Sequence, residues 1–274
     1  SASTDGMAKI FDVVAFDMTA MIDLGFIPSY ATWLNEIKIV AADSKAPVMR
    51  VFDLESNGGG SCLQELKIHH SQPVASIAFN AASKAMISVD TKGVIEYWDN
   101  ENSFELLNSD NRSKLSFRLK SETDLYELAK KKTTASSMSV AKQGDKFAVC
   151  ATNRTVYVFH FNSGKILHKF EESAAYYGTE EASNISCLGE GFDMGSRLSQ
   201  QVELEKEAAF SAYNAVFDQS GQFLFYGSPL GIKMVNMNNG AVERVLCQQD
   251  DSERFLHLAL YQGVPKVDKQ YLLS

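Results

Sequence analysis

The chain has 274 residues, 45% of them hydrophobic and 22% charged, with a formal net charge of −8. This is a globular composition with enough length for a sizeable core, and its acidic balance repels phosphate backbones, which argues against a general nucleic-acid binder. The four cysteines (Cys62, Cys150, Cys187 and Cys247) are dispersed without a Cys-x-x-Cys pair, so reduced thiols are expected rather than a disulfide scaffold or a zinc site. The five histidines offer no ligand set, and Asp17 and Asp23 break the best apolar run, residues 13–27, well short of a membrane helix.

In chain order, the first recognisable unit is residues 5–12, a Gly turn followed by an alternating strand that ends Phe11-Asp12. The first six residues are not a signal peptide, and the chain starts inside a pattern. Residues 47–53, ending Phe52-Asp53, repeat that unit, and the glycines at 58–60, with no Gly-Lys-Ser/Thr after them, suit a loop rather than a phosphate cradle. The clearest unit spans residues 87–99. It is a strand, a turn carrying Asp90 and Gly93, and a second strand closed by Trp98-Asp99. Gly supplies positive φ and Asp bonds its own backbone in such a turn. Residues 153–159 and 230–236 are further copies, each followed by an Asn/Gly turn, and residues 255–260 read as the start of another strand.

Alignment of Phe11, Phe52, Trp98, Phe159 and Val235 gives steps of 41, 46, 61 and 76 residues. The first two match the blade period of a β-propeller, roughly 40–45 residues, and the longer two require insertions. Strand–turn–strand hairpins precede the later copies, at residues 73–88, 136–149 and 213–226. The expected fold is therefore all-β, a WD40-type β-propeller over residues 1–265 with about five to six blades represented as part of a seven-bladed ring, and a tail or the start of a next segment at 266–274. A β-sandwich is the competing architecture, but it does not predict the recurring unit.

The first insertion covers about 100–133 and suggests a helix over 121–130, with the lysines at 130–132 at its C-terminus. The second covers about 173–210, with a helix over 198–208. His70, Ser88, Asp90 and Trp98 are candidates for a buried hydrogen-bonded network that braces one blade and binds nothing. Leu198, Val202, Glu203 and Leu204 are the candidate partner contacts. Other carboxylates are expected to be solvated surface. No catalytic, cofactor-binding or metal-binding residue is expected, and there is no Gly-x-Ser-x-Gly elbow.

With these residues in place, the sequence resembles the nuclear WD-repeat-containing peptidyl-prolyl isomerases, which carry an N-terminal propeller and a C-terminal cyclophilin domain. The resemblance runs from residues 8–14 to residues 258–263, and its most specific pieces are residues 93–98, 123–128, 203–206 and 230–236. It implies a nuclear protein whose partners are proteins of the spliceosome, acting in pre-mRNA splicing as an interaction scaffold, with no base-specific nucleic-acid binding, no membrane and no small-molecule substrate. A propeller that binds histones or chromatin is the alternative, and a propeller enzyme the weakest one. The Phe-His-Arg and Phe-Met-x-Gln stretches of a cyclophilin site do not occur here, so the resemblance covers the propeller part and carries no catalytic residue onto this chain.

Overall fold

The computed structural model describes residues 1–55, 60–67, 69–100, 104–107, 115–179, 194–206, 213–247 and 254–263. They form seventeen strands in five antiparallel sheets, none closed into a barrel, with three short α-helices. Sheet 1 is β1 (Met7–Asp12) and β2 (Asp17–Asp23). Sheet 2 runs β3 (Pro28–Trp33), β4 (Lys38–Asp43), β5 (Met49–Asp53) and β6 (Ser61–Leu66) in sequence order. Sheet 3 holds β7 (Val74–Asn80), β8 (Ala85–Asp90) and β9 (Ile95–Asp99). Sheet 4 holds β10 (Ala135–Val140), β11 (Lys146–Ala151), β12 (Thr155–His160) and β13 (Ile166–Glu171). Sheet 5 holds β14 (Ala215–Phe217), β15 (Phe223–Ser228), β16 (Gly231–Asn236) and β17 (Val242–Leu246).

The sheets repeat one another down to their irregularities. A bulge falls just before Phe11 in β1, Phe52 in β5 and Phe159 in β12, and just before Val235 in β16. Beyond it these residues pair with Met18, Cys62, Ile166 and Val242. Trp98 makes the corresponding bridge to Leu106, and Tyr97 and Asp99 bond residues 105–107, which complete sheet 3 as a fourth lane. The five aligned residues are thus equivalent in space as well as in sequence. Phe52, Trp98, Phe159 and Val235 are buried, while Phe11 is 54% exposed.

Consecutive sheets stack face to face with an apolar layer at each junction. Ile22, Ile39 and Phe52 fill the first, Val51, Met86 and Trp98 the second, Tyr97, Phe147 and Phe159 the third, and Val158, Leu224 and Val235 the fourth. This explains why β8 is buried along its whole length and β11 along all but its first residue: a strand covered on both faces has no side to give to water. Tyr97 and Trp98, adjacent in β9, point into different junctions.

The first strands also pack in series, β3 on β7, β7 on β10 and β10 on β14. Side-chain clips join them. Ser29 Oγ donates to the Val74 carbonyl at 2.7 Å, Ser137 Oγ to the Tyr213 carbonyl at 2.8 Å, and Asn214 Nδ2 to the Leu258 carbonyl at 2.9 Å. The last clip shows that residues 254–260, although not assigned as a strand, lie against β14 where a following first strand would lie. Gly227 permits that approach, since a Cβ there would stand 1.9 Å from the Phe255 carbonyl oxygen.

Both insertions differ from their sequence expectation. The continuous helix over 121–130 is replaced by a 3₁₀ turn (Lys120–Glu122) and one α-helical turn, α1 (Glu127–Lys130). The Thr123 hydroxyl donates to the Lys120 carbonyl, and the Asp124 carboxylate accepts from the Ile166 amide, so these side chains compete with helix bonds. The folded segment drives Leu125 and Leu128 into the third junction, so the first insertion is part of the core. In the second insertion, α2 (Ala174–Tyr177) and α3 (Met194–Leu204) place the helix four residues earlier than expected, and residues 207–208 lie outside the described residues. The proposed tail at 266–274, Cys187 and Gly58-Gly59 also lie outside them.

Candidate functional site

Three places concentrate polar or exposed chemistry. The first is built by sheet 3 and the segment leading into β7. Trp98 Nε1 donates to Ser88 Oγ at 3.0 Å, and Ser88 Oγ meets His70 Nε2 at 2.7 Å. His70 Nδ1 stands 3.5 Å from Asp90 Oδ2, while Asp90 Oδ1 accepts from the Lys92 and Val94 amides at 2.9 Å each. The structure therefore brings His70, Ser88, Asp90 and Trp98 into one chain of contacts. With the indole N–H on Ser88, the hydroxyl proton is free for His70 Nε2. Burial pushes the Asp90 carboxyl up, but His70 and the two amides outweigh it and hold it below the usual carboxylate range.

Ser, His and Asp in this order also compose a nucleophilic triad. The surroundings oppose that reading. Ser88 and Trp98 are 0% exposed, and the indole already occupies the Ser88 oxygen that would attack a substrate. Next to this chain, His69 Nε2 donates to the Phe104 carbonyl at 2.7 Å and its ring meets Trp98 edge-on at 5.6 Å. That anchors the start of the first insertion. Burial lowers the His69 pKa, keeping the ring neutral in the fold.

The second place was invisible in the sequence. Glu172, immediately after β13, is 1% exposed, and this corrects the expectation that the remaining carboxylates are solvated. It accepts from Lys233 Nζ at 2.6 Å, from Tyr226 Oη at 2.9 Å and from Tyr177 Oη, and Lys233 Nζ also donates to Tyr177 Oη at 2.7 Å. Burial, reinforced by the Glu172 charge, holds the Tyr177 and Tyr226 phenols well above their usual pKa. A cavity of about 370 Å³, lined by residues including Lys169, Phe170, Tyr176 and Val242, opens beside the cluster. The groups lie at 172, 177, 226 and 233, and no local spacing links them.

The third place is α3. Arg197 and Gln201 are buried, Leu198 and Leu204 are half-buried, and Val202 and Glu203 are exposed. Leu198 packs with Tyr177 of α2 and with Leu230 in the turn between β15 and β16, so of the four candidate contacts only Val202 and Glu203 face outward. Among the described residues no cluster of His, Cys, Asp and Glu stands ready for a metal ion, and no helix is long and apolar enough to cross a membrane. Cys62, Cys150 and Cys247 are free, and burial pushes the Cys150 thiol up to about 12.

No protein-family model matches the chain. Individual proteins do. The chain is 36% identical over 267 residues to peptidyl-prolyl cis-trans isomerase CYP71 of Arabidopsis thaliana, covering 95% of this chain and 41% of that protein. It is 33% identical over 273 residues to the human peptidylprolyl isomerase domain and WD repeat-containing protein 1, covering 97% and 41%. It is 30% identical over 277 residues to peptidyl-prolyl cis-trans isomerase 9 of Schizosaccharomyces pombe, covering 97% and 44%. Nearly all of the chain is thus similar to these relatives, and it spans about two-fifths of their length.

Proposed function

We propose that this chain is the WD40 β-propeller portion of a nuclear, spliceosome-associated peptidyl-prolyl isomerase, and that it serves as a protein-interaction scaffold. The observation that carries this reading is the recurrence of one strand pair, bulged just before Phe11, Phe52, Phe159 and Val235 and matched at Trp98 by its bridge to Leu106. Four-lane meanders that stack face to face, with their first strands packed in series, are what radial blades require. The human relative's name pairs an isomerase domain with WD repeats, and the matched part here contains the repeated sheets. In this reading the His70–Ser88–Asp90–Trp98 chain braces one blade, and recognition falls on loops and insertions.

The outward face of α3, with Val202 and Glu203, is the proposed contact for proteins of the splicing machinery. The test replaces residues 180–210 of the full-length protein with a short Gly-Ser loop and measures co-purification with spliceosomal proteins from nuclear extract. Reduced recovery with unchanged thermal unfolding is the expected result. Undiminished recovery places docking elsewhere on the surface.

A further inference from the structure

The two insertions attach to the sheets in different ways. The first contributes Phe117, Leu125 and Leu128 to an apolar junction. The described residues of the second contribute nothing to the fourth junction, which holds residues of sheets 4 and 5, Ala141 and the flanking Tyr213 and Met237. Among the described residues its own apolar contact is small: Tyr177 and Leu230 are buried, with Tyr176, Leu198 and Val245 packed around them. Its polar attachments include the Glu172 cluster and a hydrogen bond from Arg254 to the Gln200 side chain of α3 at 3.0 Å. Tyr177 of α2 bonds Glu172, which precedes the insertion, and Lys233 of β16, while Tyr226 of β15 bonds Glu172 from the far side. α3 is tied to α2 in turn, because Glu205 Oε1 accepts from the Ala174 amide at 2.8 Å and from Gln201 Nε2 at 2.9 Å.

We infer that Glu172, Lys233 and Tyr177 form a clasp that docks α2 and α3 on sheet 5 as one unit, and that this unit detaches while the sheets stay folded. An ion pair taken out of water loses most of its attraction to desolvation, so it fixes geometry strongly and contributes little net stability. A unit held by such a pair and a small apolar contact opens at a lower free energy than the sheets beneath it. The cavity beside the cluster places Lys233 and Glu172 at its wall, where water can enter as the clasp parts. The orientation of Val202 and Glu203 is then set by the clasp, since it depends on α3 lying with Arg197 and Gln201 inward.

The test is amide hydrogen exchange on the whole chain, comparing the native protein with Tyr177→Phe. This substitution keeps the ring and removes the hydroxyl shared by Lys233 and Glu172. Exchange at the α3 amides should rise about tenfold or more, the effect of losing hydrogen bonds to charged groups, while β14–β17 keep their protection. Leu198→Ser, which weakens docking from the α3 side without touching the ion pair, should give the same selective rise. Unchanged α3 exchange in both variants, or acceleration of α3 and β14–β17 together, overturns the inference.

Discussion

Trp98 and Ser88 lie diagonally across the β8–β9 pair, Trp98 opposite Met86 and Ser88 opposite Glu96, and the indole N–H reaches the hydroxyl at 3.0 Å in a site closed to solvent. The hydroxyl is therefore held between a donor it needs and a histidine it orients. Trp98→Phe removes the donor and leaves Ser88 short of a partner. A buried polar atom so orphaned costs about 1–3 kcal/mol, and thermal unfolding should show a loss of that order while the sheets still form. An unchanged melting temperature would separate the indole from the stability of sheet 3.

Acid should weaken sheet 3 in two stages. The folded His69 pKa is depressed, so the unfolded chain binds the extra proton, and stability falls as pH drops below about 6.5, the unfolded value. The folded Asp90 pKa is also depressed, so its contribution is present above about 3.9 and is lost as pH falls below that. Denaturant titrations at pH 7.5, 5.5 and 3.5, comparing native protein with His69→Gln, check the assignment. The variant should lose the first stage and keep the second.

Gly93 turns the β8–β9 hairpin at φ +82°, and a Cβ there would lie 2.2 Å from the Thr133 carbonyl oxygen. Gly93→Ala combines an unfavourable backbone conformation with a collision against the first insertion, and should destabilise by about 1–3 kcal/mol. Chemical denaturation would detect it. A neutral result would mean that the insertion yields at no cost.

The two insertions should respond differently to truncation of a leucine or valine. Leu128→Ala empties a fully buried site and should cost about 2–5 kcal/mol. Val202→Ala, on the open side of α3, should stay within about 0.5 kcal/mol. Equal losses at the two positions would contradict the distinction between core and surface insertions.

The chain by itself should not accelerate prolyl isomerisation, because neither sequence stretch of a cyclophilin site occurs in it. The uncatalysed reaction takes tens to hundreds of seconds, so even modest catalysis of a model peptide would be visible. Such activity would require a site built from other residues.

Local chemistry made the repeated sheets legible. Asp90 bonding its own turn, Gly93 at positive φ and the steps between Phe11, Phe52 and Trp98 are all short-range signals. The His70–Trp98 chain was legible for the same reason, since its members lie within one hairpin and its lead-in. Glu172 was not, because its partners come from the insertion and from strands up to 61 residues away. The fold of residues 120–130 was also hidden. Thr123 and Asp124 look like helix-start residues, and only the packed structure shows their side chains spent on the Lys120 carbonyl and the Ile166 amide.

The meander order of the sheets bears on how the chain reaches its native state. Among the described residues every strand pairs only with the strand before or after it, so none of these ladders has to wait for a distant part of the sequence. Loop-closure entropy is correspondingly small at each pairing. The hairpins can form first and the junctions close between neighbours afterwards, with the aromatic-rich layer around Tyr97, Phe147 and Phe161 as a natural nucleus. Such an order would let assembly spread outward sheet by sheet, each docked sheet serving as the template for the next.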